Sequence, residues 1–257
     1  MKLYFTLPNP LRGTGAAALL LSGLLAGCAA TPSDQGIHDP LEPLNRATHG
    51  LNKGLDTVAV RPASKVYGTV VPDPLRRGVN NVADTLELPG VIANDILQLK
   101  LEQAVTNTLR LGLNLTFGLG GLNDFATAAG MPKTDNDFGT TLAVWGVGEG
   151  PYVELPGFGP STARDAVGTA VDIAFNPLGN VFTGNDAAAV TAAAVLSKLD
   201  DRFRYSGTID SILYESADSY AQARLLYLQN RRFELGKEAP AGEDDGFIDP
   251  YEDLYGQ

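Results

Sequence analysis

The chain is poor in the residues on which most enzymes depend. It has one cysteine, Cys28, and two histidines, His38 and His49, among 257 residues. One cysteine excludes an internal disulfide, a thiol pair for redox chemistry and a zinc ribbon. Two isolated histidines exclude a His-rich metal site and leave imidazole catalysis little to work with. Basic residues are also scarce: 19 Lys and Arg stand against 30 Asp and Glu, a formal charge of −11. That balance excludes nucleic acid as the expected partner, because such a partner needs a cationic face. No apolar run is long enough to span a bilayer. Residues 15–26 (GAAALLLSGLLA) fall short of the roughly 20 that are needed, and residues 187–196 are mostly alanine, interrupted by Thr191. Glycine and proline are plentiful, 29 and 16 residues. This is a globular composition with many turns, below the roughly 25–30% of low-complexity chains.

The first 27 residues read as an address rather than as fold. Lys2 and Arg12 are the only charges there, and the apolar run ends in Leu25-Ala26-Gly27-Cys28. The lone cysteine therefore stands where a bacterial lipobox places its lipidated residue. We expect residues 1–27 to be a lipoprotein signal peptide, Cys28 to be acylated and residues 28–38 to form a lipid-anchored linker. Several acyl chains on one cysteine supply the stable anchoring that a single chain does not. Ala29 rather than Asp follows Cys28, which by likeness to lipoprotein sorting rules favours the outer membrane, anchored on its periplasmic side. At the other end, residues 234–257 carry eight acidic residues against one base, Lys237. This stretch reads as a disordered acidic tail. Its aromatic residues Phe247, Tyr251 and Tyr255 leave open a short motif that docks a basic partner.

Between these ends the body, residues 39–233, reads as mainly α in short segments. Residues 39–60 carry Leu44, Thr48, Leu51 and Leu55 on one stripe. Short helices follow over 65–71, 75–86 and 91–99, punctuated by Pro62, Pro72 and Pro74. Residues 102–117 repeat apolar positions every four residues, at Val105, Leu109, Leu113 and Phe117. Residues 186–203 look helical, with Asp186 as N-cap. Residues 208–233 give the strongest helical pattern, with Arg231 and Arg232 in the last turn to match the helix dipole. No alternating strand set and no repeat is visible. Apolar stripes without a span suit either a soluble α domain or interfacial helices lying in one leaflet.

Catalytic patterns are few. Gly159-Pro160-Ser161-Thr162-Ala163 approaches a nucleophile elbow, but no histidine follows Ser161, as that order of catalytic residues demands. A turn with Ser161 as a cap, leading into a helix at Arg164-Asp165, is the better reading. The glycine clusters at 118–121 and 146–150 lack a phosphate fingerprint. No metal site and no cofactor are expected.

What remains is an ordered set of motifs. Asp39-Pro40-Leu41-Glu42-Pro43-Leu44-Asn45-Arg46 opens it. Arg61-Pro62 and Val71-Pro72-Asp73-Pro74-Leu75-Arg76-Arg77-Gly78 follow, then Asn94-Asp95-Ile96-Leu97-Gln98 and residues 118–126 (GLGGLNDFA). The most specific stretch runs from Asp137-Phe138-Gly139-Thr140-Thr141-Leu142 through Trp145-Gly146-Val147-Gly148-Glu149-Gly150-Pro151-Tyr152 to Arg164-Asp165. Together these resemble the VacJ/MlaA lipoproteins, over nearly the whole body and in the same order.

The resemblance implies an all-α, ring-like protein of short interfacial helices, seated in the inner leaflet of the outer membrane around an amphipathic channel. It implies removal of mislocalised phospholipids from the outer leaflet, hand-over to a soluble periplasmic lipid carrier, association with outer-membrane porin trimers, and no enzymatic activity. Such a path lowers the high cost of moving a polar headgroup through hydrocarbon. Under the resemblance, Asn45 and Arg46 fall near a channel rim or hinge. Phe117, Gly118, Gly120, Gly121 and Asp124 belong to a flexible loop beside the channel, and Trp145 and Tyr152 suit the headgroup region. Two positions depart from the family pattern: Leu44, where an aromatic is common, and Leu99-Lys100, where a glycine is common after Gln98. The competing reading is a porin-associated scaffold lipoprotein with no lipid path. A lipid hydrolase working through Ser161 is a third.

Overall fold

The computed structural model describes Ile37 and residues 39–175 and 184–236. Cys28, the linker apart from Ile37, and the acidic tail beyond Gly236 lie outside the described residues. The fold is all-α with one small hairpin. Helix α1 (Glu42–Leu55) begins with Pro43 in its first turn, where a missing N–H costs nothing, and carries Glu42 and Lys53 at the ends the dipole favours. A π-helical turn, Asp56–Val60, leads without a break into α2 (Arg61–Val70). Pro62 has no N–H for the carbonyl four residues back. The widened turn takes up that defect, with the Arg61 N–H reaching the Asp56 carbonyl. So Pro62 marks a change of winding, not the break the sequence suggested.

Helix α3 (Asp73–Leu97) is 25 residues long and runs through Pro89, where the sequence predicted two helices. Tertiary packing overrides the proline: Leu88 and Val91, on either side of it, are both buried. Leu99 then takes a left-handed backbone, φ 59°. A leucine holds this left-handed turn at a cost of about 1–2 kcal/mol, where a glycine would adopt it without strain. Helix α4 (Leu101–Thr116) matches its prediction. Short helices α5 (Phe125–Ala128) and α6 (Phe138–Val144) are capped by Asp124 and Asp137, whose carboxylates accept the backbone N–H groups of Thr127 and Thr140.

Strands β1 (Tyr152–Leu155) and β2 (Gly159–Thr162) pair antiparallel, Tyr152 opposite Thr162 and Leu155 opposite Gly159. The glycine- and proline-rich sequence concealed this hairpin, because four-residue strands need little alternation. Ser161 lies inside β2, and Thr162 is the residue that caps α7 (Ala163–Ala174). Helix α8 (Asn185–Arg204) starts from Gly184, so Asp186 sits in its first turn rather than capping it. The predicted helix over 208–233 is divided. Helix α9 (Ser206–Asp210) passes into a π-helical turn, Ser211–Glu215, and Ser216 is extended. Asp218 then caps α10 (Ser219–Glu234). Helices α6 and α7 cross closely enough that a Cβ on Gly168 would lie 2.4 Å from the Gly139 nitrogen.

Burial is inverted relative to a water-soluble domain. Among the described residues 21 polar or charged residues are buried against eight apolar ones, while 32 large apolar residues are exposed. On α1 the stripe of Leu44, Leu51 and Leu55 faces outward, and Asn45 and His49 face in. On α4, Val105, Leu109 and Phe117 face outward, whereas Asn107, Arg110 and Asn114 are buried. The interior is held by side-chain networks. Asn107 donates to Asp95 at 2.7 Å, and Gln98 donates to Thr141 at 2.8 Å. Arg76 pairs with buried Asp200, which Asn80 also reaches at 2.6 Å. Arg202 binds Asp56 through two 2.8 Å hydrogen bonds. A small apolar cluster of Tyr152, Tyr220 and Leu228 closes the hairpin against α10. No described helix is long and apolar enough to cross a membrane.

Candidate functional site

Helices α3, α6, α7, α8 and α10 enclose an open cavity of about 1190 Å³, larger than the roughly 300–1,000 Å³ of ordinary small-molecule clefts. Helix α3 forms one wall, with Ala83, Glu87, Gly90, Asn94 and Leu97 recurring at helical spacing. From Ala83 to Leu97 this wall runs about 21 Å at 1.5 Å per residue, against about 15 Å for the hydrocarbon of one leaflet. The lining is amphipathic. Val91, Leu97, Val171, Phe175, Val190 and Ala194 supply apolar surface, and Glu87, Lys100, Lys133, Asp137, Lys198 and Arg231 supply charge.

The wall at α6, α7 and α10 is fixed by Asp165. Its carboxylate receives hydrogen bonds from Thr162 at 2.9 Å, Tyr227 at 2.9 Å, Arg164 at 3.0 Å and Arg231 at 3.2 Å. Burial pushes the Asp165 carboxyl up, but the Arg231 hydrogen bond and the two arginine charges outweigh it and hold the group below the usual carboxylate range. Arg231 also grips Asp137 at 2.8 Å.

The residues singled out from the sequence gather in three places, none among the residues lining this cavity. The first joins Asn45, Arg46 and Tyr152. Buried Asn45 donates to the Tyr152 carbonyl at 3.0 Å and accepts from the Glu154 N–H at 2.9 Å, tying α1 to β1. Arg46 binds Asp218 with two hydrogen bonds of 2.8 and 3.1 Å and lies 4.6 Å from the Tyr220 ring. Those bonds depress the Asp218 carboxyl to about 2. Tyr152 is only 1% exposed and its hydroxyl donates to Glu154. Its ring therefore has no surface for a headgroup, a correction to the sequence reading.

The second place is the turn after α4. Gly118 is required by close approach, since a Cβ there would lie 2.2 Å from the Asn123 carbonyl oxygen. Leu119, Gly120 and Gly121 are all left-handed, at φ 56°, 74° and 91°. Asp124 accepts from Arg110 at 3.2 Å and from Asn114 at 3.2 Å, and the Phe117 and Phe125 rings stack at 5.4 Å. This turn rests on α3 through the Asn81 donation to the Leu122 carbonyl. Asn81 lies about half a helical turn around from Gly90 and about a third of a turn from Glu87, so the loop and the cavity occupy different faces of α3. The third place is Trp145, 54% exposed, whose indole N–H donates to the Leu97 carbonyl at 3.2 Å.

Ser161 is buried, with its hydroxyl donated to the Thr162 carbonyl. His49 lies elsewhere, 3.1 Å from Ser219 and 3.3 Å from Glu154. This order of serine, imidazole and carboxylate resembles a catalytic relay, but its members already join elements together. Glu154 also accepts from Tyr152, His49 meets the Tyr220 ring edge-on, and Ser219 opens α10. No group of three or more His, Cys, Asp or Glu able to hold a metal occurs among the described residues.

A polar interior, an outward apolar belt and an amphipathic cavity are what the family resemblance implies, and direct comparison decides the matter. The MlaA lipoprotein family model matches residues 37–234. The chain belongs to the MlaA lipoprotein family. Relatives named intermembrane phospholipid transport system lipoprotein MlaA include that of Escherichia coli K12, 35% identical over 85% of this chain and 87% of the relative. The corresponding Haemophilus influenzae protein is 30% identical over 85% and 88%. A solved structure from work on the structural basis for maintenance of bacterial outer membrane lipid asymmetry is 31% identical. It covers 77% of this chain and 98% of its own, with a TM-score of 0.64.

Within this MlaA-family chain, the residues given site roles from the sequence fasten elements together; the motifs included the cavity-lining Asn94, Leu97 and Asp137 but not Glu87, Lys133 or Lys198. Glu87, Lys133 and Lys198 come from three separate segments, and none stands in a motif. The available signal was charge on otherwise apolar faces. Glu87 falls between buried Ala83 and Val91 on α3, and Lys198 follows the alanine-rich start of α8.

Proposed function

We propose that this chain is the outer-membrane lipoprotein of an intermembrane phospholipid transport system. Cys28 carries its lipid anchor, and the exposed apolar faces seat the helices in the inner leaflet. Mislocalised phospholipids leave the outer leaflet through the amphipathic cavity and pass to a soluble periplasmic carrier. Porin trimers are the membrane partners that membership of the family suggests. The turn at residues 117–124 acts as a hinge behind the α3 wall, Asn45 and Arg46 fix the rim helix α1, and Trp145 lies at headgroup level. The role is transport without catalysis, and the Ser219–His49–Glu154 chain is a fastening.

The observation that carries this reading is the 1190 Å³ cavity, inside a fold whose apolar side chains point outward. A headgroup crossing hydrocarbon without help loses several kcal/mol per unpaired polar group, and polar walls offset that loss without chemical energy. Direction comes from the carrier that removes the product.

The test is outer-leaflet phospholipid content in a deletion strain restored with the wild type, Cys28→Ala or Ala194→Trp. The tryptophan fills the cavity from α8, where Ala194 is an exposed lining residue. Deletion is expected to raise surface phospholipid, and only the wild type to restore it. A porin-associated scaffold needs no lipid path, so full restoration by Ala194→Trp would refute the channel and support the scaffold.

A further inference from the structure

One end of the cavity carries a group of charges in which one member has no partner. Glu87 of α3 makes no hydrogen bond or ion pair among the described residues. Lys198, Lys133 and Asp135 line the same cavity, and the charges of Lys198, Lys133, Asp84 and Asp135 act on Glu87. Lys133 is committed, at 2.9 Å from Asp84 and 3.3 Å from Asp135. Lys198 is not: its one approach is 3.7 Å to Asp201, and its side chain is 77% exposed. The cavity end thus presents one open carboxylate and one open ammonium. Glu87 keeps exposed surface, yet desolvation in the cavity pushes its carboxyl above the ordinary value against the charges of Lys198 and Lys133.

The surroundings give this pair a direction. Arg76 and Asn80, early in α3, meet Asp200, late in α8, so the two helices run in opposite senses. One turn onward from Glu87 the α3 wall becomes Gly90 and Val91, and one and two turns back from Lys198 the α8 wall becomes Ala194 and Val190. Next to the pair, both walls therefore turn apolar in the same direction, before Asn94 and Lys100 make the α3 side polar again. A molecule with a charged head and apolar chains fits this stretch with its head between Glu87 and Lys198 and its chains along Val91, Ala194 and Val190.

We propose that Glu87 and Lys198 select the phospholipid headgroup, and that the class they select is the zwitterionic amino-phospholipid. This rests on the transport reading above. Glu87 accepts from the primary ammonium of a phosphoethanolamine head, and Lys198 meets the phosphate as a point charge. A glycerol-type anionic head brings the phosphate without the ammonium and leaves Glu87 and Asp135 facing added negative charge. A quaternary ammonium brings the charge but has no N–H to donate.

The test uses the acylated chain in nanodiscs of equal phosphatidylethanolamine, phosphatidylglycerol and phosphatidylcholine. The protein is withdrawn in mild detergent and its bound lipid measured by mass spectrometry. The wild type is expected to enrich phosphatidylethanolamine over each of the others by about fivefold, the scale of a partly exposed charge pair. Glu87→Gln should return the ratio to that of the disc, and Lys198→Glu should lower it. Glu102→Gln, an exposed carboxylate on α4 outside the cavity, should keep the wild-type ratio. Glu87 holds nothing in place, so its loss leaves the unfolding temperature unchanged, and that measurement accompanies each variant. An unaltered ratio in Glu87→Gln overturns the proposal. Bound lipid of unselected composition in the wild type overturns selectivity while leaving transport standing. Absence of any bound lipid in the wild type overturns the transport reading, and this proposal with it.

Discussion

Asp165→Asn is expected to lower stability by about 3 kcal/mol. The carboxylate is 7% exposed, and its arginine partners Arg164 and Arg231 are 1% and 13% exposed. Removing one partner of a buried ion pair costs about 3–5 kcal/mol, because the other charge stays desolvated. The lower end applies here, since asparagine keeps an accepting oxygen and Asp137 still holds Arg231 at 2.8 Å. At about 2–4 °C per kcal/mol for a chain of this size, the unfolding midpoint should fall by about 6–12 °C. Far-ultraviolet circular dichroism of the detergent-solubilised lipoprotein measures it. Asp201→Asn is the control: it breaks the exposed 3.7 Å pair with Lys198, worth at most about 1 kcal/mol. The pH dependence has a definite sign. A carboxyl held below its unfolded value, about 3.9, stabilises the fold above that pH and loses its contribution as the pH falls through the folded value. Asp165 is held down in this way, so the asparagine variant should lose less stability than the wild type on acidification. If Asp165→Asn shifts the midpoint no more than Asp201→Asn, the Asp165 hub does not hold the cavity wall and the reasoning is wrong.

Two further outcomes follow from the same geometry. A Cβ built on Gly78 meets Leu122 Cδ2 at 3.5 Å, within reach of a short thiol crosslinker, so a crosslinked Gly78→Cys/Leu122→Cys pair should pin the loop after α4 onto α3 and stop lipid removal; full activity in the crosslinked form removes the hinge role. Leu51 and Leu55 are about half exposed, so burying their remaining surface in hydrocarbon is worth about 1 kcal/mol each. In a Cys28→Ala background, Leu51→Ser/Leu55→Ser should weaken vesicle binding about thirtyfold in a flotation assay, and equal flotation counts against the membrane-facing role of α1.

The helices were legible where period alone defines them, as in α4, with Val105, Leu109, Leu113 and Phe117 four apart. Period gives a stripe but not its direction. The same stripe packs inward in water and outward in lipid, and only the contacts of Asn107 and Arg110 tell the two apart. Boundaries failed where a tertiary contact overruled a local signal. Pro89 lies within α3 because both its neighbours along the core face are buried, and α9 and α10 separate because the Asp218 side chain starts a new helix. The site divides in the same way. Asn45, Arg46, Asp137 and Asp165 were visible because a fastening needs one side chain of one shape. The cavity wall needs only a mixture of polar and apolar surface, which many residues supply, so Glu87 and Lys198 left no motif to read.

An inverted fold has a further consequence for where stability comes from. A soluble domain is held mainly by apolar area taken out of water, but here the large apolar residues of α1 and α4 remain outside. What the interior contributes is a set of hydrogen bonds and ion pairs, each worth little net when water competes for it and more when the surroundings are apolar. Under the proposed function the two terms rise together. Lipid around the belt supplies the apolar burial that the core lacks, and it also excludes water from the ends of the Asp56–Arg202 and Asp165–Arg231 pairs. Anchoring and folding are then coupled. Whatever holds Cys28 at the membrane raises the stability of a domain that begins more than ten residues later, without touching it. The Cys28→Ala chain should therefore unfold at a lower temperature than the acylated chain in vesicles and at the same temperature in detergent micelles, which cover the belt of both.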